Sequence, residues 1–306
     1  MPRVSVLMPV FDSAPYLRDA LESIISQTFA DFELIVVNDG STDGSSAILA
    51  DFAREHENVR IIERSNRGLI DTRNQLLEEA QGEFIAWMDS DDLSHPDRLR
   101  LQVSAFDADP DLVCVGTNIQ LVDPEGHDLG TERYPADDAS IRREQAAGNG
   151  MRFASTMQRR SAALATGGFR HPFKMGEDFD FLLRVAEGGN IANLKEILYV
   201  YRQHLSNTCS ALGLNWPKIR DVILELARER RDSGTDRLQR GELIEFPLAK
   251  PGDDKKLAPF VLRTWGLGAR SAGDRRRAAL YTMQSIRMAP MQKAGWRQLI
   301  KLLLDR

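Results

Sequence analysis

Along the first hundred residues, short runs that are apolar throughout alternate with longer stretches in which apolar side chains return every three or four positions. Val4-Ser5-Val6-Leu7-Met8 reads as a strand. Tyr16, Leu17, Ala20, Leu21, Ile24 and Ile25 then fall on one face of a helix, with Ser13 placed as its N-cap. Leu34-Ile35-Val36-Val37 predicts a second strand, followed by a helix over about 43–54. Val59-Arg60-Ile61-Ile62 is a third strand, Leu69, Ile70, Leu76, Leu77 and Ala80 mark a third helix, and residues 84–88 a fourth strand before a helix that opens at Pro96. Strands without a polar face, alternating with helices, predict an α/β fold in which a mostly parallel sheet is covered on both faces. Ligands in such sheets bind beyond the carboxyl ends of the strands. Asp12, Asp39 and Asp89 each follow a strand at that edge.

Beyond residue 110 the pattern loosens. Leu112 to Val122 predicts a strand that turns at Asp123-Pro124-Glu125-Gly126, and residues 137–147 a helix. Asp180 to Ala186 reads as helix, Ile197 to Arg202 as a late strand, and the chain from Trp216 onward as mostly helical and arginine-rich. With 42% hydrophobic and 28% charged residues, the composition is that of an ordinary globular protein, and a net charge of −5 argues against general nucleic-acid binding. Cys114 and Cys209 lack metal-ligand spacing, which fits a reducing, cytoplasmic setting. Met1-Pro2-Arg3 leads straight into a strand, so no secretory leader is expected, and no run is apolar enough to span a bilayer.

Candidate chemistry concentrates at the strand ends. Trp87-Met88-Asp89-Ser90-Asp91-Asp92 places three carboxylates at the close of a buried strand, where charge must be paired, solvated or metal-bound. Hard divalent cations take oxygen ligands and often share their shell with substrate phosphates. The structural alternative is a polar loop that caps the next helix. Asn38-Asp39-Gly40-Ser41-Thr42-Asp43 turns from strand to helix and can accept from a base or a ribose, or serve as a well-capped turn. Pro9-Val10-Phe11-Asp12 supplies a rigid turn, an aromatic face and a carboxylate, and Arg67 and Arg73 bring cations after the third strand.

Taken together, Pro9-Val10-Phe11-Asp12, Val37-Asn38-Asp39-Gly40-Ser41-Thr42-Asp43, Asn66-Arg67-Gly68, Arg73-Asn74, Gly82-Glu83-Phe84-Ile85 and Asp89-Ser90-Asp91-Asp92 resemble, in order, the motifs of family-2 glycosyltransferases of the GT-A fold. The resemblance covers about residues 3–207 and implies a Rossmann-like catalytic domain over 1–212. Its nucleotide-binding half would be 1–110 and its acceptor half 111–212, with 213–306 a helical extension. It also implies a nucleotide-sugar site formed by Pro9, Phe11, Asp12, Asp39, Arg67, Arg73, Asp89 and Ser90, and a Mn²⁺ or Mg²⁺ ion on Asp91, with Asp92 in support. Gly176-Glu177-Asp178 resembles the family's Glu-Asp pair, so Asp178 would be the general base and Glu177 its neighbour. Tyr199-Val200-Tyr201-Arg202-Gln203-His204-Leu205-Ser206 resembles a Tyr-Arg-x-His-x-x-Ser ending with its serine one position early, making His204 a second metal candidate.

Two departures stand out. The family more often carries Tyr-Asn where Phe11-Asp12 stand, and the Gln-x-x-Arg-Trp signature of processive synthases is absent near Phe181-Leu182-Leu183-Arg184-Val185. The expectation is therefore an inverting, non-processive glycosyltransferase that takes a sugar, most simply from a UDP-sugar, to a glycan, lipid-linked or protein acceptor. A nucleotidyltransferase needs a glycine-rich loop after the first strand, which Pro9 to Ser13 lack. An aspartyl phosphatase carries its Asp-x-Asp on the first strand rather than the fourth. A catalytically decayed sugar-nucleotide-binding scaffold would have lost acids that this chain retains. Residues 275–304 read either as a solvated basic helix packed on the catalytic domain or as a peripheral contact with an anionic membrane.

Overall fold

The computed structural model describes residues 1–148, 150–173, 175–205, 216–244 and 254–304. Ser206, Cys209 and the expected boundary at 212/213 lie outside these residues. The described chain forms two compact units that are not contiguous in sequence. The first comprises 1–119, 133–201 and 223–243, the second 120–132, 202–222 and 244–306.

The strands are β1 (Val4–Val10), β2 (Phe32–Asp39), β3 (Val59–Arg64), β4 (Phe84–Trp87), β5 (Leu93–Ser94), β6 (Leu112–Val122), β7 (Asp128–Glu132), β8 (Met157–Arg159) and β9 (Asn190–Arg202). Their order among the described residues is β3-β2-β1-β4-β8-β6-β9-β5, with β7 beside β6. β1 pairs in parallel with both β2 and β4, and β2 with β3. The sheet then becomes mixed, because β8 runs antiparallel to β4 and to β6. The chain steps outward from β1 to β3 and then returns to the other side of β1. Right-handed crossovers therefore put α1 (Ala14–Ile25) and α2 (Ser45–Glu55) on one face and α3 (Leu69–Glu79) on the other. The reversal beside β1 is the kind of switch point at which open α/β sheets bind ligands.

Burial explains why these segments are strands. Val4, Val6, Leu7, Met8, Ile35, Val36 and Val37 are buried on both sheet faces. Pro9 lies in a central strand, where a missing N–H is normally costly. Leu7 turns its carbonyl to β4, accepting from Met88 N–H at 3.1 Å. Pro9, two residues on, faces the same way, and there β4 has already left the sheet, since its last partner is Leu7.

The remaining helices are α4 (Arg98–Ala108), α5 (Asp138–Ala146), α6 (Arg160–Ala165), α7 (Glu177–Ala186), α8 (Trp216–Ser233), α9 (Asp254–Ser271), α10 (Arg275–Met288) and α11 (Lys293–Leu304). Periodicity does not reveal β5 or β8, which have two and three residues. Ser13 precedes α1 but does not cap it. Its hydroxyl joins Phe11 O and Ser90 Oγ, and Asp43 Oδ2 takes the Ala14 N–H at 2.8 Å instead.

A ring cluster fills the first unit beneath the acids. Trp87 meets Phe153, Phe169 and Phe181 at 5.1, 5.3 and 6.3 Å, and Phe169 stacks on Phe181 at 4.2 Å. The same unit holds a buried ionic knot. Asp180 receives Arg170 and Arg184, while Asp236 receives Arg170 at 2.7 Å and Arg230 at 2.5 Å. It ties residues 223–243 to α7. In the second unit, Leu129, Leu262, Trp265, Ala269, Ala278, Tyr281 and Leu302 form a separate core. No described helix is long and apolar enough to cross a membrane.

Candidate active site

Register brings the strand-end loops together. Val10 pairs with Asn38, Asp39 with Arg64, and Leu7 with Trp87, so residues 11–13, 39–43, 65–68 and 88–92 share one edge. Asp12 takes a left-handed backbone (φ 46°), a conformation that Asp tolerates better than most residues. Ser41 Oγ accepts its N–H at 2.9 Å, and its own carboxylate accepts from Thr42 N–H at 2.7 Å. Phe11 is left 51% exposed at the mouth.

Asp39 is 3% exposed and its carboxylate is heavily engaged. Oδ1 accepts from Arg64 Nε at 2.8 Å and Arg67 N–H at 2.9 Å, and Oδ2 from Gly68 N–H at 2.8 Å. Arg64 continues to Thr72 Oγ1 and Gln75 Oε1. Asp39 thus fixes the loop 66–68 to β2, and the Arg67 side chain stays exposed. Gly40 (φ +76°) makes this possible, because a Cβ there would sit 2.7 Å from Asn66 N. Gly40→Ala is expected to cost about 1–3 kcal/mol, by strain and by loosening the Asp39 contacts. Urea unfolding checks this, and a variant as stable as wild type would refute the close packing.

The three acids after β4 separate by burial. Asp92 is fully buried, and Tyr199 donates its hydroxyl to Asp92 Oδ2 at 2.8 Å while accepting from Asp89 N–H at 3.2 Å. The Arg98 guanidinium lies 5.0 Å from the Tyr199 ring, with its pKa lowered by burial to about 10. Asp92 is therefore part of the scaffold under the loop, with Ser90 hydrogen-bonded to Ser13 at 2.7 Å. Asp89 and Asp91 remain half-exposed.

Asp89 is pushed up to about 6, chiefly by burial. The Arg73 and Arg152 charges oppose this, while Asp91 and Asp178 add to it. Asp91 and Asp178 thus both act on Asp89, although 86 residues separate Asp91 from the first residue of α7. Clustered, partly open carboxylates of this kind suit a hard divalent cation, which would relieve their repulsion.

Arg73 joins the acids to α7. It is buried against Phe153 and Phe169 at 4.8 and 5.5 Å, donates to Glu177 Oε1 at 2.7 Å, and lies 3.8 Å from Asp89. Glu177 is raised by burial and by the Asp178 charge, with Arg73 opposing. Its carboxylate holds the start of α7, and Asp178 is the half-exposed acid of the pair. Asn74, beside Arg73, receives Phe169 N–H at 2.7 Å and donates to Phe169 O at 3.0 Å. His204 lies just past β9 in the second unit.

Sequence reading gave no role to Arg64, Asn74, Tyr199 or Arg152. Arg98 and Gln102, one turn apart among Leu99, Val103 and Phe106, were the available sign that a cation lies buried under the acids. Elsewhere, Asp123, Glu125 and His127 approach closely enough to share an ion. Asp123, however, already accepts from the N–H groups of Glu125 and His127, the His127 ring and the Tyr281 hydroxyl. It is better described as the staple of the β6–β7 turn onto α10.

Residues 5–164 match the family model described as Glycosyl transferase family 2. A chondroitin synthase of Pasteurella multocida (strain Pm70) is 30% identical over 208 residues, 68% of this chain and 21% of that protein. EpsE of Bacillus subtilis (strain 168) is 33% identical over 208 residues, 66% of this chain and 73% of its own length. The chain thus spans about a fifth of the length of the synthase. S. aureus TarS 1–349 in complex with UDP-GlcNAc superposes with a TM-score of 0.63 at 18% identity, covering 98% of this chain and 89% of that one. The mannosyltransferase PcManGT of Pyrobaculum calidifontis, in complex with GDP-Man and Mn²⁺, gives 0.54 at 20% identity over 100% and 88%. These likenesses show a GT-A fold, and with the family match over more than half its residues, the chain belongs to glycosyl transferase family 2.

Proposed function

We propose that this chain transfers a sugar from a nucleotide-sugar, most simply a UDP-sugar, to a hydroxyl of a glycan, lipid-linked or protein acceptor, with inversion at the anomeric carbon. The observation that carries this reading is that buried Arg73 lies 3.8 Å from Asp89 and donates to Glu177 at 2.7 Å, so the Glu177-Asp178 start of α7 stands against the acid loop after β4. The synthase relatives and the UDP-GlcNAc bound by TarS support polysaccharide or glycoconjugate synthesis from a UDP donor.

In this reading Phe11 offers its ring to the base, between Asp12 and the 66–68 loop that Asp39 fixes, with Pro9 and Ser90 shaping the floor. Arg67, Arg73 and Arg152 supply positive charge around the donor. Asp178 takes the proton of the acceptor hydroxyl as its oxygen attacks the anomeric carbon. The bond to the diphosphate oxygen breaks on the opposite face, and its electron pair leaves with the nucleoside diphosphate. A single displacement inverts the centre. Asp91, with Asp89 beside it, would hold Mn²⁺ or Mg²⁺, which when bound stabilises charge on the leaving diphosphate.

Melting temperatures with UDP, with and without Mn²⁺, test the donor site beside GDP and dTDP. Nucleotide at about 100 times its dissociation constant should stabilise the fold by about 2.7 kcal/mol. The expected result is a metal-dependent UDP shift that Asp91→Ala loses. His204→Ala in the same assay reports whether that side chain contributes. No shift with any nucleotide, from folded protein, would overturn the proposal.

A further inference from the structure

The end of the second unit differs in charge from the rest of the chain. Residues 275–304 hold seven Arg and Lys and no Asp or Glu, in a protein of net charge −5. α11 presents three kinds of surface. Gly295, Gln298 and Leu302 are buried, Gly295 so near Ile286 that a Cβ would lie 2.8 Å from Cγ1. Gln298 Nε2 donates to Thr282 Oγ1 and Arg263 O, both at 3.0 Å. Away from that contact, Trp296, Ile300, Leu303 and Leu304 are 48%, 53%, 74% and 75% exposed. Lys293, Arg297 and Lys301, spaced four apart and all exposed, form a cationic row next to them. Trp296 Nε1 donates to Pro290 O at 2.9 Å, which orients the ring at the head of the helix. α10 repeats the chemistry on its own outer stripe, where Arg276, Leu280, Met283 and Arg287 are exposed.

A helix designed only for water does not expose Trp, Ile and two Leu on one side. A cationic row beside an exposed apolar row is the pattern of helices that lie in a bilayer interface. We infer that the face of α11 carrying Trp296, Ile300 and Leu303 docks on an anionic lipid surface, with Lys293, Arg297 and Lys301 on the headgroup phosphates. Charge complementarity selects this occupant. A second copy meeting the same patch across a two-fold axis would set cationic rows against each other. The helix lies along the membrane and does not cross it.

Flotation of the whole protein with phosphatidylcholine–phosphatidylglycerol vesicles, against pure phosphatidylcholine, tests the inference. Binding is expected only to the mixed vesicles and should weaken with salt. Each Lys or Arg near an anionic leaflet strengthens binding about fivefold, so Lys293→Gln/Arg297→Gln/Lys301→Gln should weaken it by about 100-fold. Ile300→Ser/Leu303→Ser should also release the protein, and both sets sit on exposed positions, so circular dichroism should remain that of wild type. Trp296 emission should shift to the blue with mixed vesicles, and Trp296→Phe should remove that change. No binding at low salt, or binding that neither variant alters, would overturn the inference. So would lipid-independent self-association abolished by Ile300→Ser/Leu303→Ser, which would assign the face to a second copy.

Discussion

Asp178→Asn is expected to lower kcat by about 10²–10⁴-fold while leaving the UDP-dependent rise in melting temperature as in wild type. The substitution keeps the shape of the side chain while removing its negative charge and its ability to take a proton. Asp178 stands on the first turn of α7, half-exposed, with its own Oδ1 taken at 2.7 Å by the next N–H of the chain. Glu177 cannot replace it, because its carboxylate is buried in the pair with Arg73. Nucleotide release from UDP-sugars in the presence of glycan acceptors measures the loss. An Asp178→Asn variant with full turnover would remove Asp178 from the chemistry, and a variant that also lost nucleotide binding would place it in the donor site.

The second large effect concerns stability. Asp236→Ala should destabilise the first unit by about 1–3 kcal/mol, because it takes a buried, hydrogen-bonded carboxylate from two guanidinium groups, leaving Arg170 to Asp180 and Arg230 to Glu187. At this size the melting temperature should fall by about 5 °C. Burial raises Asp236, but the Gln239 N–H and the Arg170 and Arg230 side chains more than offset it, so its pKa lies below the ordinary carboxylate value. A group depressed in the folded state contributes stability that is present above its unfolded pKa and lost as pH falls through the folded one. Acid unfolding of wild type should therefore steepen below about pH 4, and Asp236→Ala should lack that component. An unchanged melting temperature would show that the knot contributes nothing net.

The first hundred residues of the fold were legible because their signals are local. Four apolar runs and three periodic helices sit in the first hundred residues, and their strand ends carry the acids. Asp91 and Asp92 look equivalent in sequence. Tyr199, 107 residues after Asp92, distinguishes them by taking Asp92 into a buried hydrogen bond. Asp39 presents itself as a free ligand in the sequence, since its partners include the backbone N–H groups of Arg67 and Gly68, which no residue pattern encodes. Nothing local marks Asp236, one of whose partners, Arg170, lies 66 residues earlier. Long-range ionic pairing of this kind leaves no periodic trace.

The neighbours Arg73 and Asn74 on α3 hold two points of the segment that leads into Asp178. Arg73 grips Glu177, and Asn74 clamps Phe169 beside Gly168, whose missing Cβ would lie 2.5 Å from Asn74 Oδ1. The two halves are thus matched like a key to its own lock. Recombining the first 110 residues of one family member with residues 111–212 of another should give inactive chimeras, unless residues 73–74 and 166–178 come from the same parent. Change in one of these two segments is therefore expected to require a matching change in the other.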